Sequence, residues 1–320
     1  MTPSPARYRF ATRLNSFRRP STQALGDLVR AVAGVPGLTA LELNFPQHVA
    51  GLAPRDIASI VHDAGLALTA LSLRFEGPQF ALGAFTHPSP DVRRQAIRLA
   101  QDAVDLAAEL GVPHVNLWMA HDGFDLPFEA DYAELWPLEV EGFRMVAGHN
   151  PAVRISVEYK PVEPRRVSLV ASMADALLAV RDVGRPNFGV QIDFCHSLMA
   201  RERPAAAARA LAEGKLYGVH LNDGYGPADD GLPVASVHLW ETLELLWYLR
   251  VFDYRGTIYF DTFPERVDPR SEAAHNIAVV QQLDCLLDRL SADELRLLQR
   301  ERDALGVTRL IRSLVLEMTE

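Results

Sequence analysis

The chain has 320 residues, 48% of them hydrophobic and 23% charged, and a formal net charge of -9. That length allows one large core or two ordinary domains, and the composition excludes a disordered chain. The acidic balance argues against a nucleic-acid partner, which needs a basic footprint. Two cysteines, Cys195 and Cys285, are too few for a disulfide framework and fit a reducing compartment. Met1 to Arg18 carries arginines but no continuous apolar core, so no secretory signal is expected. No run approaches the roughly 18 apolar residues of a spanning helix. The expectation is a soluble, cytoplasmic protein without a membrane partner.

In chain order, strands and helices alternate. Arg9 to Leu14 reads as a strand, and Pro20-Ser21-Thr22 opens a helix with Leu25, Leu28, Val29 and Val32 on one face. Leu38 to Leu43 is the second strand, Pro54 to Ala64 the second helix, and Leu66 to Leu73 the third strand. Asp91 is expected to cap the third helix, whose apolar face runs from Ala96 to Leu110 before Gly111 ends it. Val115 to Trp118 is the fourth strand, and a helix with Leu135, Leu138, Phe143 and Val146 follows. Then come strand Arg154 to Tyr159, helix Met173 to Val183 and strand Phe188 to Asp193. Helix Ala205 to Ala212, strand Leu216 to Leu221 and helix Leu239 to Leu249 come next. Strand Thr257 to Phe260 and helix Glu272 to Leu290 complete the alternation.

Short apolar strands separated by helices predict a parallel sheet. Eight consecutive units over roughly 280 residues predict a closed (β/α)8 TIM barrel. An open doubly wound sheet would carry a glycine-rich turn after its first strand, and Thr12 to Pro20 holds no glycine. Residues 1–290 therefore read as the barrel, and residues 291–320 as a helical extension that clamps the wall or meets a second subunit.

A barrel's active site lies where its strands run into the following loops. Four consecutive strand ends carry Glu158 and Lys160, Asp193 and His196, His220 and Asp223, and Asp261. Any one of these reads as a helix cap or a satisfied core residue. Four at equivalent places are different, because converging buried carboxylates need a cation. Mixed oxygen and nitrogen donors suit Mn2+, Mg2+, Co2+ or Zn2+. Cys195 is expected to turn away from its neighbours and pack against a helix. His48, His62, His149 and His275 read as surface residues, and His121 with Asp122 as a pocket-lining pair.

Glu158-Tyr159-Lys160, Asp193-Phe194-Cys195-His196, His220-Leu221-Asn222 and the final Asp261 together resemble the xylose-isomerase-like superfamily. Gly83 to Pro90, Arg93 to Ala96, Leu117-Trp118 and Ala228 to Leu232 resemble its L-rhamnose isomerase branch. The resemblance runs from the third strand to the eighth. It implies a metal-dependent aldose–ketose isomerase acting on a small sugar, a homodimer or homotetramer, with Mn2+ as the foremost metal. It implies that Glu158, Asp193, His220 and Asp261 hold one metal, and that His196, Asp229 and Asp230 hold a second. Lys160 would sit by the sugar's first oxygen, His87 would help open the ring, and Trp118 would wall the pocket. Asn44, Phe85, Phe124 and His196 would be further substrate contacts.

Lys160 as a fixed positive charge near a developing oxyanion is sound chemistry in its own right. Asp229-Asp230-Gly231 departs from the family's three consecutive carboxylates, which puts the second metal in question. A one-metal ketose 3-epimerase, or a lyase of oxidised glycosides, is the alternative, with Glu158 and Asp261 transferring protons. A DNA-repair nuclease is disfavoured by the acidic charge, and a non-catalytic barrel would bind no metal. No phosphate cradle is evident after the seventh and eighth strands, so the sugar is expected to be unphosphorylated.

Overall fold

The computed structural model describes residues 7–19 and 24–316. Eight strands form the barrel: β1 (Arg9–Thr12), β2 (Ala40–Phe45), β3 (Ala67–Leu73), β4 (His114–Trp118), β5 (Arg154–Glu158), β6 (Phe188–Asp193), β7 (Leu216–His220) and β8 (Thr257–Phe260). All pairings among them are parallel, and each strand lies beside its neighbour in sequence. The ring is nearly closed between β1 and β2, where Thr39 N–H donates to the Phe10 carbonyl at 3.0 Å.

Around the strands run α1 (Leu25–Ala33), α2 (Pro54–Asp63), α3 (Pro90–Glu109), α4 (Tyr132–His149), α5 (Met173–Val183), α6 (Phe194–Met199), α7 (Ala208–Ala212), α8 (Leu239–Val251) and α9 (Pro269–Asp288). Two further helices, α10 (Ala292–Glu301) and α11 (Ala304–Leu316), follow the barrel. Their Leu295 and Leu314 join the same hydrophobic core as the wall. This is a (β/α)8 TIM barrel with extra C-terminal helices.

The architecture follows from burial on both faces of each strand. Every residue of β6 is buried, so it reads as a continuous apolar run interrupted only by Gln191 and the terminal Asp193. Helix α3 turns Ala96, Ala100, Ala103, Val104 and Ala107 inward, small side chains that let its axis approach the sheet. Two register shifts fall at Leu41/Glu42 between β2 and β3 and at Val190/Gln191 between β6 and β7. Such irregularities re-aim a side chain. Here each shift carries a polar residue that reaches the site.

Several local expectations need correction. Ser89 is the residue before α3, and Asp91 lies inside the first turn, where its charge complements the helix dipole. Helix α4 buries Glu139 and Val140 beside Phe143 and Val146, while Leu135 and Leu138 are only half-buried. The short helix α6 and an antiparallel pairing of Gly123–Phe124 with Val167–Ser168 were not anticipated. The first part of the expected 205–212 helix is a 3-10 turn at Pro204–Ala207. The expected opening of α1 at Pro20-Ser21-Thr22 lies outside the described residues. No described helix is long and apolar enough to cross a membrane.

Candidate active site

At the carboxyl ends of the strands lies a cavity of about 260 Å3, lined among others by Asn44, Trp118, Glu158, Lys160, His196, His220, Asp229 and Asp261. Asp193 lies beneath its floor, fully buried. Ligand atoms of Glu158, Asp193 and His196 lie within 4.8 Å of one another, as do those of Asp193, His220 and Asp261. Asp193 therefore links two overlapping triads.

Local structure explains the clustering. Asp193 ends β6 and caps α6, accepting the His196 N–H at 3.0 Å. That turn brings the imidazole of His196 back over the barrel mouth. Its Nδ1 is 3.0 Å from the Tyr159 carbonyl and its Nε2 is 3.2 Å from Asp229 Oδ2. The second Asp193 oxygen accepts from Asn222 Nδ2 at 3.1 Å, and the same amide donates to the Asp261 carbonyl at 3.1 Å. Glu158 Oε2 accepts from Asn116 at 2.6 Å and from Gln191 at 2.9 Å. Its Oε1 faces His196 and His220, each at 3.5 Å.

Four residues of this arrangement escaped sequence reading: Glu42, Asn116, Gln191 and Glu163. Glu42 Oε2 sits 3.2 Å from His220 Nε2, and so orients the ring whose Nδ1 faces Glu158. A carboxylate behind a histidine fixes its tautomer and raises its basicity as a ligand. The signal was a polar residue within an apolar strand, as in Leu41-Glu42-Leu43, Val115-Asn116-Leu117 and Val190-Gln191-Ile192.

Charge in this volume is tightly coupled. Burial pushes Asp193 up to about 7, opposed by His196 and reinforced by Asp229, Glu158 and Asp261. Burial also raises Asp261, against the pull of His220 and Arg13. His196 would be depressed by burial, but Asp193, Asp229 and Glu158 outweigh this and hold it at about 9. Burial opposes the charged form of Lys160 too, yet Asp229 and Glu163 raise it, from 2.9 and 3.2 Å respectively.

The donor set fits a divalent cation. Asp261 Oδ1 is buried and accepts no hydrogen bond, its facing cation being Arg13 Nε at 3.3 Å. Each of the two triads offers two carboxylates and an imidazole, which is oxygen–nitrogen ligation of the Mn2+ or Mg2+ type.

Several expected residues lie elsewhere. Phe85 is buried in the core against Phe75 and Phe143. His87 does not line the cavity, and its Nδ1 accepts from Ser89 N–H at 3.0 Å. Asp230 accepts the Tyr225 N–H at 2.6 Å and so braces its own loop. Phe124 is buried beside Tyr132. Asp122 is buried too and takes N–H bonds from Ala84 and Thr86, while His121 lines a groove beside the cavity. His48 is buried rather than exposed, with Nδ1 accepting the Asn44 N–H at 2.9 Å. Cys195 is buried, its thiol turned to the Ala228 carbonyl.

The barrel and its carboxylate–imidazole cluster define a TIM-barrel protein with a metal-ligand type of site at the strand ends. The chain belongs to the xylose isomerase-like TIM barrel family, whose model matches residues 29–283. Over 201 residues it is 31% identical to the xylose isomerase of Thermus thermophilus, a match taking in 61% of this chain and 52% of that enzyme. The chain thus spans about half the length of the curated relatives it matches. Among solved structures it resembles a xylose isomerase domain protein from Alicyclobacillus acidocaldarius, with TM-score 0.66, 21% identity, and coverage of 87% of this chain and 98% of that one. It also resembles a D-tagatose 3-epimerase-like protein, with TM-score 0.70, 16% identity, and coverage of 88% and 98%. At such identities the two structures speak for the fold alone.

Proposed function

We propose that this protein is a divalent-metal-dependent aldose–ketose isomerase of an unphosphorylated monosaccharide, nearest in its motifs to the L-rhamnose isomerase branch and working in the cytoplasm. The observation that carries the reading is the pair of triads, Glu158–Asp193–His196 and Asp193–His220–Asp261, that share Asp193 beside a buried lysine. Glu158, Asp193, His220 and Asp261 would hold the cation, with Mn2+ the metal we name. When bound, it supplies Lewis-acid polarisation of neighbouring sugar oxygens.

The chain's own residues do the rest. Lys160 is 7% exposed and fixed by two carboxylates, so its ammonium is a positioned charge for an oxygen that becomes anionic. Trp118 offers an apolar wall to the sugar's C–H groups, and Asn44 offers its amide to the hydroxyls.

A second reading follows from Asp229 and Asp230. Asp229 Oδ2 is engaged by Lys160 and His196, and Asp230 braces its loop, which leaves Asp229 Oδ1 as the one buried oxygen of the pair without a partner and makes for a poor second metal site. That supports a one-metal ketose 3-epimerase, in which Glu158 and Asp261 would exchange a proton with the sugar carbon from opposite sides.

The test is a screen of free aldoses and ketoses with chelator-treated protein, before and after Mn2+ is restored. The isomerase reading expects activity that vanishes with chelation and returns with metal. Turnover indifferent to exhaustive chelation would sink it. Solvent tritium then separates the two readings: little incorporation at the substrate carbon marks hydride shift, and extensive incorporation marks proton transfer.

A further inference from the structure

The cavity is lined by three long cationic side chains, and two of them already face carboxylates. Lys160 is held by Asp229 and Glu163, and Arg13 lies 3.3 Å from Asp261. Arg74 is different. It follows β3 and lines both the site cavity and an adjoining groove of about 460 Å3 that shares Trp118, Lys160 and Glu163. Among the described residues its guanidinium has no ion pair and no side-chain hydrogen bond. It lies over the Trp118 ring, 5.4 Å from the centroid.

A half-buried guanidinium held over an aromatic ring keeps its rigid fork of N–H donors for another partner. That fork matches a carboxylate in two parallel hydrogen bonds. The half-buried donors give up water to an anion that enters the cavity and satisfies them directly. The groove also contains Glu76 and Glu163, which would repel a doubly charged phosphate more than a singly charged carboxylate.

We propose that Arg74 binds a carboxylate of the substrate, so that the sugar processed here is a sugar acid rather than a neutral sugar. The inference rests on the sugar-isomerase reading of the same cavity. It adds the substrate's charge and names the residue that selects for it. Arg74 would act as a specificity-determining residue and take no part in the chemistry at the reacting carbons.

The experiment uses the full-length, Mn2+-loaded protein and a panel of hexuronates paired with their parent hexoses, plus the corresponding hexose 6-phosphates. Both kcat/KM and calorimetric Kd are measured for wild type, Arg74→Met and Arg74→Lys. The expected result is a preference for the acids that Arg74→Met lowers by about 10- to 100-fold, the scale of a charge-assisted pair. The readout in that variant is the ratio of acid to neutral-sugar binding, with circular dichroism verifying the fold, and Arg74→Lys should recover part of the preference. Equal handling of acids and neutral sugars, equal losses for both in Arg74→Met, or a preference for the phosphates would overturn the proposal. If no sugar is turned over, the isomerase reading fails by itself. The calorimetric comparison of uronate with hexose then still decides whether Arg74 is a carboxylate site.

Discussion

Lys160 Nζ lies 2.9 Å from Asp229 Oδ2, and His196 Nε2 lies 3.2 Å from the same oxygen. One carboxylate thus holds two cationic side chains at the mouth of the barrel. Burial alone would raise Asp229, but His196 and Lys160 outweigh it and keep the group ionised. The consequence is a lysine fixed in position before substrate arrives. On the proposed isomerase reading, replacing it with a neutral side chain of similar length removes charge beside the sugar's reacting oxygen and leaves the proposed metal ligands in place. Lys160→Met is expected to lower kcat by about 10²–10³-fold, with metal content per chain unchanged. Loss of metal from the variant would show that Lys160 supports the ligand shell instead.

Gly231 interrupts the run of carboxylates, and its environment explains why. Its φ is +56°, and a Cβ there would lie 2.3 Å from the Phe263 ring. Its carbonyl accepts the Phe263 N–H at 2.8 Å. Restoring a carboxylate by Gly231→Asp would therefore displace an aromatic that lines the cavity. The variant is expected to lose about 1–3 kcal/mol of stability and to bind no additional metal. Thermal denaturation and metal analysis check this, and a gain of a second metal ion at unchanged Tm would contradict it.

Glu139 lies on the inner face of α4, fully buried, and neither of its carboxyl oxygens has a hydrogen-bond partner. Burial raises it well above the ordinary glutamate range, and Asp122 adds to the shift. The sign follows from proton linkage. Between the unfolded value and the raised folded value the native state binds more protons, so stability falls as pH rises. Below the unfolded value both states are protonated and the penalty vanishes. Glu139→Leu should raise stability at pH 7 by about 1–3 kcal/mol, mostly the linkage cost of taking up a proton on folding that the unfolded chain does not hold at that pH. The gap from wild type should shrink as pH is lowered towards 4. Urea denaturation across that range measures it, and a gap independent of pH would contradict the linkage.

The chain's periodicity made the barrel legible because its strands are buried on both faces and its helices on one. The expected bounds of Met173–Val183, Phe188–Asp193 and Thr257–Phe260 coincide with α5, β6 and β8. The clustered acids and histidines were legible because they end consecutive strands, and a barrel gathers strand ends. What failed was anything set by packing across elements. Asp193-x-x-His196 reads as an extended pair of ligands, yet it is the capped first turn of a helix, which is why His196 returns to Asp229. Phe85 and His87 occupy a loop that turns into the core and towards α3, a path fixed by Asp122 from 36 to 38 residues away. Glu42 and Gln191 sit at register shifts, which no local pattern encodes.

The central claim is that Glu158, Asp193, His220 and Asp261 form a divalent-metal site. Its most direct test is calorimetric titration of chelator-treated, full-length protein with Mn2+, in wild type and in the Glu158→Gln/Asp261→Asn variant, with circular dichroism to verify the fold. Saturable binding of Mn2+ at this site in wild type, lost in the folded variant, is the predicted result. Unchanged Mn2+ binding in the variant, or none in wild type, would contradict it.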